Sequence, residues 1–277
     1  MVHLPNMAFL PQFSRSAAAN AELPYDSTIV VASYRRSGTH LTIDSLLNNG
    51  AGLYPEYVNL DRLSSRAPKH LDLQQFGKVF DKAARRRVVV KTHAPDTLID
   101  LKTEAERQVF SSVLERSKKL YVCRDPKDVM VSFWYYRQSF SPDYAQRTRF
   151  SDHVARYCAQ WRDHVNHWLD QDTMVVRFED WAEDYDKTLA RVAGHLGLEL
   201  KEGPTNRIYG ALPSAAEKGS LGLLSRIRNR LRLGARVTAV APRKGTVGDW
   251  REHFTPEDRE AVLSICGEAL LIRLGYF

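Results

Sequence analysis

Four short runs of aliphatic and β-branched residues constrain this chain more than any other feature. They are Thr28-Ile29-Val30-Val31-Ala32, Val88-Val89-Val90, Lys119-Leu120-Tyr121-Val122-Cys123 and Met174-Val175-Val176. Each is apolar with little alternation, the pattern of a strand buried on both faces. Helical patterns lie between and after them, over 40–49, 104–117, 152–169 and 183–196. In the third of these, Val154, Tyr157, Cys158, Trp161, Val165 and Trp168 recur every three or four residues and so share one face. Strands alternating with helices predict a single α/β domain, a central parallel sheet flanked by helices. A last helix is marked by Thr255 as cap, Pro256 at its first position and the acidic Glu257 and Asp258 in its first turn.

The remaining composition narrows the class. With 277 residues, 43% hydrophobic and 26% charged, the chain can build a core and has room for one or two domains. No stretch approaches the ~18 consecutive apolar residues of a membrane span. Residues 1–24 read as an irregular leader without the charged and apolar regions of a signal peptide, which predicts a cytoplasmic protein whose domain covers 25–277. Cys123, Cys158 and Cys266 lie far apart in sequence, so neither a disulfide framework nor a zinc site is expected. His164 and His167, three apart on a helix, read as a packed or solvated face, and no metal is predicted. Forty Lys and Arg against 33 Asp and Glu leave a formal charge of +7, which favours anionic partners.

Three segments say where that charge goes. The first strand runs directly into Ser33-Tyr34-Arg35-Arg36-Ser37-Gly38-Thr39-His40-Leu41. A strand, a tight basic turn with a glycine and hydroxyls, then a helix form a P-loop-like phosphate cradle, because helix N-terminal N–H groups face the anion. The turn is not GxxxxGK[ST]: it is shorter and has arginine for lysine. The third strand ends in Arg124-Asp125-Pro126-Lys127-Asp128, with Ser132 on the next helix, positioned to share an anion with Arg124. Near the C-terminus, Arg243-Lys244-Gly245-Thr246-Val247-Gly248-Asp249-Trp250 puts two cations beside flexible glycines.

Together these segments resemble the soluble cytosolic type of sulfotransferase that uses 3′-phosphoadenosine 5′-phosphosulfate (PAPS) and releases 3′-phosphoadenosine 5′-phosphate (PAP). YRRSGTHL is similar to the family's YPKSGTTW loop, YVCRDPKDVMVSFW to YxxRNPKDxxVSxY, and RKGTVGDWREHFT to RKGxxGDWKxxFT, in family order across residues 27–260. The resemblance implies that Arg35, Arg36, Ser37, Gly38, Thr39, His40 and Leu41 form the phosphosulfate loop. It implies that Arg124, Ser132, Arg243, Lys244 and Gly245 hold the 3′-phosphate, and that Phe178 stands where a tyrosine often contacts the nucleotide. The end of the second strand, Val90-Lys91-Thr92-His93, resembles the family's KTH segment. It implies His93 as general base, with Lys91 and Arg36 supporting the transferring group and no metal required.

Some positions depart from the family pattern. Arg36 replaces the usual lysine and adds a bidentate fork. Leu41 replaces the tryptophan that stacks on adenine in relatives, and His40 stands at a threonine position. Pro256 replaces a valine of the animal dimer motif, so no dimer is predicted and the oligomeric state stays open. The acceptor is expected to be a small-molecule or carrier-bound hydroxyl compound, with 206–241 as a lid over its site. Five arginines between 226 and 236 also allow peripheral membrane contact through 221–236. Two other readings stay open: a nucleotide-dependent kinase with a degenerate P-loop, and a non-enzymatic basic module at a membrane surface. Once Arg36, Lys91, Arg124, Arg243 and Lys244 are assigned to one nucleotide, the charge excess no longer argues for nucleic acid.

Overall fold

The computed structural model describes residues 28–63, 73–83, 86–95, 101, 103–208 and 244–277. The leader 1–24, residues 209–241 of the lid, the 221–236 segment and Arg243 all lie outside them. Five parallel strands form one sheet in the order β2-β3-β1-β4-β5. They are β1 (Thr28–Ser33), β2 (Leu53–Asn59), β3 (Arg87–Thr92), β4 (Lys118–Cys123) and β5 (Met174–Arg177). The helices are α1 (Thr39–Asn49), α2 (Leu73–Ala83), α3 (Glu104–Arg116), α4 (Pro126–Phe140), α5 (Tyr144–Arg147), α6 (Phe150–Leu169), α7 (Phe178–Glu183), α8 (Tyr185–Leu196), α9 (Pro256–Cys266) and α10 (Glu268–Leu274).

The two-residue period of the central strands divides the core. Val30 and Ala32 of β1, Val88 and Val90 of β3 and Tyr121 and Cys123 of β4 face one side, packed with side chains of α2, α3, α4, α6 and α9. Ile29 and Val31, Val89, and Leu120 and Val122 face the other, packed with α1, α7 and α8. Residues buried on both faces need no alternation, which is why these strands read as continuous apolar runs.

The apolar runs identify four strands; the structure adds a fifth, β2, at the sheet edge. Its sequence Leu53-Tyr54-Pro55-Glu56-Tyr57-Val58-Asn59 is mostly half-exposed, and its pairing with β3 is irregular between Leu53 and Tyr57. An edge strand tolerates a proline and a charge, and those residues hide it from a search for apolar runs. The helical pattern over 183–196 is α8, and the short α7 just before it is an element the sequence analysis did not single out. Asp184 breaks between them, and its side chain accepts the Lys187 N–H at 3.0 Å to start α8.

The last helix begins as its sequence predicts. Thr255 accepts from the Asp258 N–H and Asp258 accepts from the Thr255 N–H, a reciprocal capping box ahead of Pro256. Thr255→Ala is expected to lower unfolding stability by about 1 kcal/mol, read as a shift in urea midpoint without a change in slope.

Candidate active site

Loops leaving the carboxyl ends of three adjacent strands, β3, β1 and β4, meet at one end of the sheet, where open parallel sheets place ligands. After β1 the chain turns tightly through Arg36, a non-glycine residue at φ 69°, and Gly38 at φ 98°. Gly38 is required there twice over. Its φ lies in the left-handed region, and a Cβ would come within 2.8 Å of the Phe178 ring. No side chain caps α1, so its first N–H groups face this turn. Ser37 is fully buried, and its hydroxyl oxygen has no hydrogen-bond partner among the described residues. A buried orphan hydroxyl at an uncapped helix start, between arginines, fits an oxyanion.

The second motif closes on the first. Arg36 Nε donates to Ser132 Oγ at 3.1 Å, and Arg124 Nη1 approaches the Arg36 carbonyl at 3.5 Å. Arg124 is 7% exposed, lies over the Phe178 ring at 4.3 Å, and its Nε is another buried donor without a partner among the described residues. Phe178 itself is buried between Gly38 and Arg124 and supports both. Leu41 points into the core on the α1 side.

The third motif is tied down by α4. The buried carboxylate of Asp128 accepts the N–H groups of Gly248 at 2.7 Å and Trp250 at 2.9 Å, and lies 3.6 Å from Arg124 Nη2. Arg124 Nη2 also donates to the Thr246 carbonyl at 2.8 Å. Lys244 and Gly245 thereby reach the neighbourhood of Arg124. The Lys244 ammonium bonds Asp249 at 2.6 Å and Glu252 at 3.0 Å. Asp249, Glu252 and His253 hold metal-type donor atoms within 4.8 Å of one another, a grouping the sequence analysis did not single out, and Lys244 already supplies a cation to two of them.

At the end of β3 one carboxylate organises three residues. Asp61 accepts from Lys91 Nζ, Thr92 Oγ1 and the His93 N–H, each at 2.9 Å. Burial opposes its charge, but the Lys91 ammonium and the hydrogen bonds from Lys91 and the His93 N–H hold the carboxyl below its usual range. His93 Nδ1 lies 2.7 Å from the Ser33 carbonyl oxygen. A carbonyl only accepts, so Nδ1 carries the hydrogen and Nε2 keeps its lone pair. Burial and the Lys91 ammonium pull the imidazole down to about 3, against Asp61 and the Ser33 carbonyl. His40 bonds Tyr57 of β2 through Nε2 at 3.2 Å, and burial, Lys91 and Arg36 pull it down to about 4.

Basic turns, an orphan hydroxyl and a buried imidazole thus gather at the carboxyl end of the sheet, and comparison with known proteins names the family. The family described as Sulfotransferase domain matches residues 26–271. The chain belongs to the sulfotransferase family. Mouse (Mus musculus) sulfotransferase 2B1 is 27% identical over 271 residues, covering 93% of this chain and 75% of its own. The 3-beta-hydroxysteroid sulfotransferase of Cavia porcellus is 24% identical over 275 residues, covering 94% and 88%. Among solved structures, mouse sulfotransferase SULT7A1 complexed with PAP superposes with a TM-score of 0.58 at 19% identity, covering 93% of this chain and 94% of that one.

In this sulfotransferase hydrogen bonds link the first motif to the second and tie the described part of the third to α4, but the carboxylates that hold these segments do not announce themselves in the sequence. Asp61 sits in Asn59-Leu60-Asp61-Arg62, after the unrecognised edge strand, and nothing in that segment marks it as a partner of a residue 30 positions away. Asp128 lies inside the second motif, yet only the fold shows it reaching residues 248 and 250. Asp61→Ala leaves the buried Lys91 ammonium unpaired and is expected to cost about 3–5 kcal/mol of stability. Thermal melts at fixed pH check this; an unchanged Tm would refute the assigned role.

Proposed function

We propose that this chain transfers a sulfuryl group from PAPS to the hydroxyl of a small-molecule alcohol or phenol, with His93 as general base. The observation that carries the reading is the Nδ1–H bond from His93 to Ser33. It leaves Nε2 in base form beside the loop that holds the orphan Ser37 hydroxyl. Family membership supports the donor, as do neighbours whose structures contain PAP.

The fit to a phosphosulfate donor follows from this chain's own groups. Arg35, Arg36, Ser37, Gly38, Thr39 and His40 would surround its 5′ end. Arg124 and Ser132 would hold its 3′-phosphate, together with Lys244, Gly245 and Arg243. An acceptor hydroxyl is a poor nucleophile until its proton leaves, and a neutral imidazole within reach removes it as the new oxygen–sulfur bond forms. The sulfur–oxygen bond to the 5′-phosphate breaks in the same step, and the proton ends on His93. Lys91 and Arg36 stabilise the charge that grows on the departing oxygen, at fixed positions that need no reorganisation. Residues 206–241 are assigned to the acceptor-site cover, as part of one domain over 25–277.

The steroid named for one relative and the retinol of one neighbour's complex define the acceptor panel: hydroxysteroids, retinol and simple phenols, with radiolabelled PAPS as donor. Label transfer to at least one is expected. His93→Ala should abolish transfer, by a factor of about 100 or more, while PAP still binds; full activity would remove the base. Arg124→Ala should weaken PAP binding much more than binding of adenosine 5′-phosphate, and equal losses would remove the 3′-phosphate site. Because the base is active when neutral and its pKa in the donor-free protein is about 3, kcat/KM should show no acid limb near pH 6.5. A limb there would contradict the low value.

A further inference from the structure

Helix α6 does more than cover one face of the sheet. Two of its side chains, one turn apart, reach the residues that follow β3. His164 Nε2 lies 3.2 Å from the His93 carbonyl oxygen, and Trp168 Nε1 donates to the Ala94 carbonyl at 2.8 Å. Since a carbonyl only accepts, Nε2 of His164 carries the hydrogen and Nδ1 carries a lone pair. That lone pair faces the Tyr121 hydroxyl of β4 at 3.0 Å, which therefore donates to it. Tyr121 stacks on His164 at 5.7 Å and on Trp168 at 5.9 Å. All three are 0–1% exposed, so no solvent competes for these bonds.

We propose that His164, its tautomer set by Tyr121, is a positioning residue that orients the His93 imidazole for proton removal. The inference rests on the reading of His93 as base. The geometry gives His93 three restraints from three segments. Its N–H is held by Asp61, its carbonyl by His164, and its ring by the Ser33 carbonyl. With the main chain fixed on both sides, only the two side-chain torsions remain, and the Ser33 contact removes those. If the carbonyl is released, the peptide after His93 is free to turn and the ring moves with it. A misplacement of about 1 Å at a reacting group costs about 100-fold in rate.

Burial, against the pull of the His93 carbonyl, brings the His164 pKa down to about 4, so the tautomer and its two bonds persist across the neutral range. Trp168 makes a separate bond from α6 to the strand end, which a substitution at His164 does not itself remove. A merely structural histidine would behave differently, lowering stability and nucleotide affinity together.

The test compares His164→Leu, His164→Gln and Tyr121→Phe in the full chain. His164→Leu removes the donor, and His164→Gln restores an amide donor at a similar reach. Nitrogen-15 NMR of His93 in the nucleotide-free protein is expected to show one Nδ1–H tautomer in the wild type and a mixture in His164→Leu. With the best acceptor of the panel, kcat is expected to fall about tenfold or more in His164→Leu, to recover in part in His164→Gln, and to lie between in Tyr121→Phe. The PAP dissociation constant is expected to stay within about twofold of wild type throughout. Wild-type kcat and a single His93 tautomer in His164→Leu would overturn the proposal. So would His164→Gln no better than leucine, or kcat and PAP affinity lost together. If His164→Leu does not fold, an unaltered tautomer and kcat in Tyr121→Phe overturn it on their own. Full activity of His93→Ala would remove the premise, whereas an inactive His93→Ala with a fully active His164→Leu removes only the positioning role.

Discussion

Crowding cations at one end of a sheet is unfavourable unless anions are interleaved among them, and this constraint shapes the site. Lys91, Arg124 and Lys244 come from three distant segments, and each meets its own carboxylate: Asp61 at 2.9 Å, Asp128 at 3.6 Å and Asp249 at 2.6 Å. Two of these pairs are deeply buried, where an unpaired charge would be costly. The carboxylates do more than neutralise. Asp61 also fixes Thr92 and His93, and Asp128 also pins the backbone at 248 and 250. Electrostatic compensation and loop placement are therefore the same contacts.

The aromatic layer acts in the same sense. Phe178 props Gly38 and Arg124 from below, and Tyr121, His164 and Trp168 back the strand end that carries His93. Both groups are fully packed, so the loops above them rest on rigid surfaces. Groups held on strand ends by buried polar and aromatic contacts are positioned by the fold itself.

How much of this was legible in the sequence depends on the range of the contact. The central strands show as apolar runs because both their faces are buried, and Thr255 with Pro256 and Asp258 shows as a helix start because capping is local. The edge strand β2 escapes notice because its exposed positions accept Pro55 and Glu56. The tight basic turn at Arg36-Ser37-Gly38 is legible because its residue types are consecutive. His164 reads as part of a packed or solvated helix face; it is packed, but its bond to a carbonyl 71 positions away carries no sequence signal. Lys244 reads as a nucleotide contact, and its bonds to Asp249 and Glu252 appear only once the loop is folded.

By itself, then, the sequence determined the α/β class, the order of the central elements and which short segments carry chemistry. Each of those rests on local periodicity or on adjacent residue types. Tertiary structure alone decided which carboxylate meets which cation, which tautomer His93 adopts and which helix holds it in place. Those depend on strand order, which sets β3, β1 and β4 side by side and so brings Ser33 to His93, and on the packing of α6 and the 3₁₀ turn Leu60–Leu63 against the sheet, which brings Asp61, His164 and Trp168 to the end of β3.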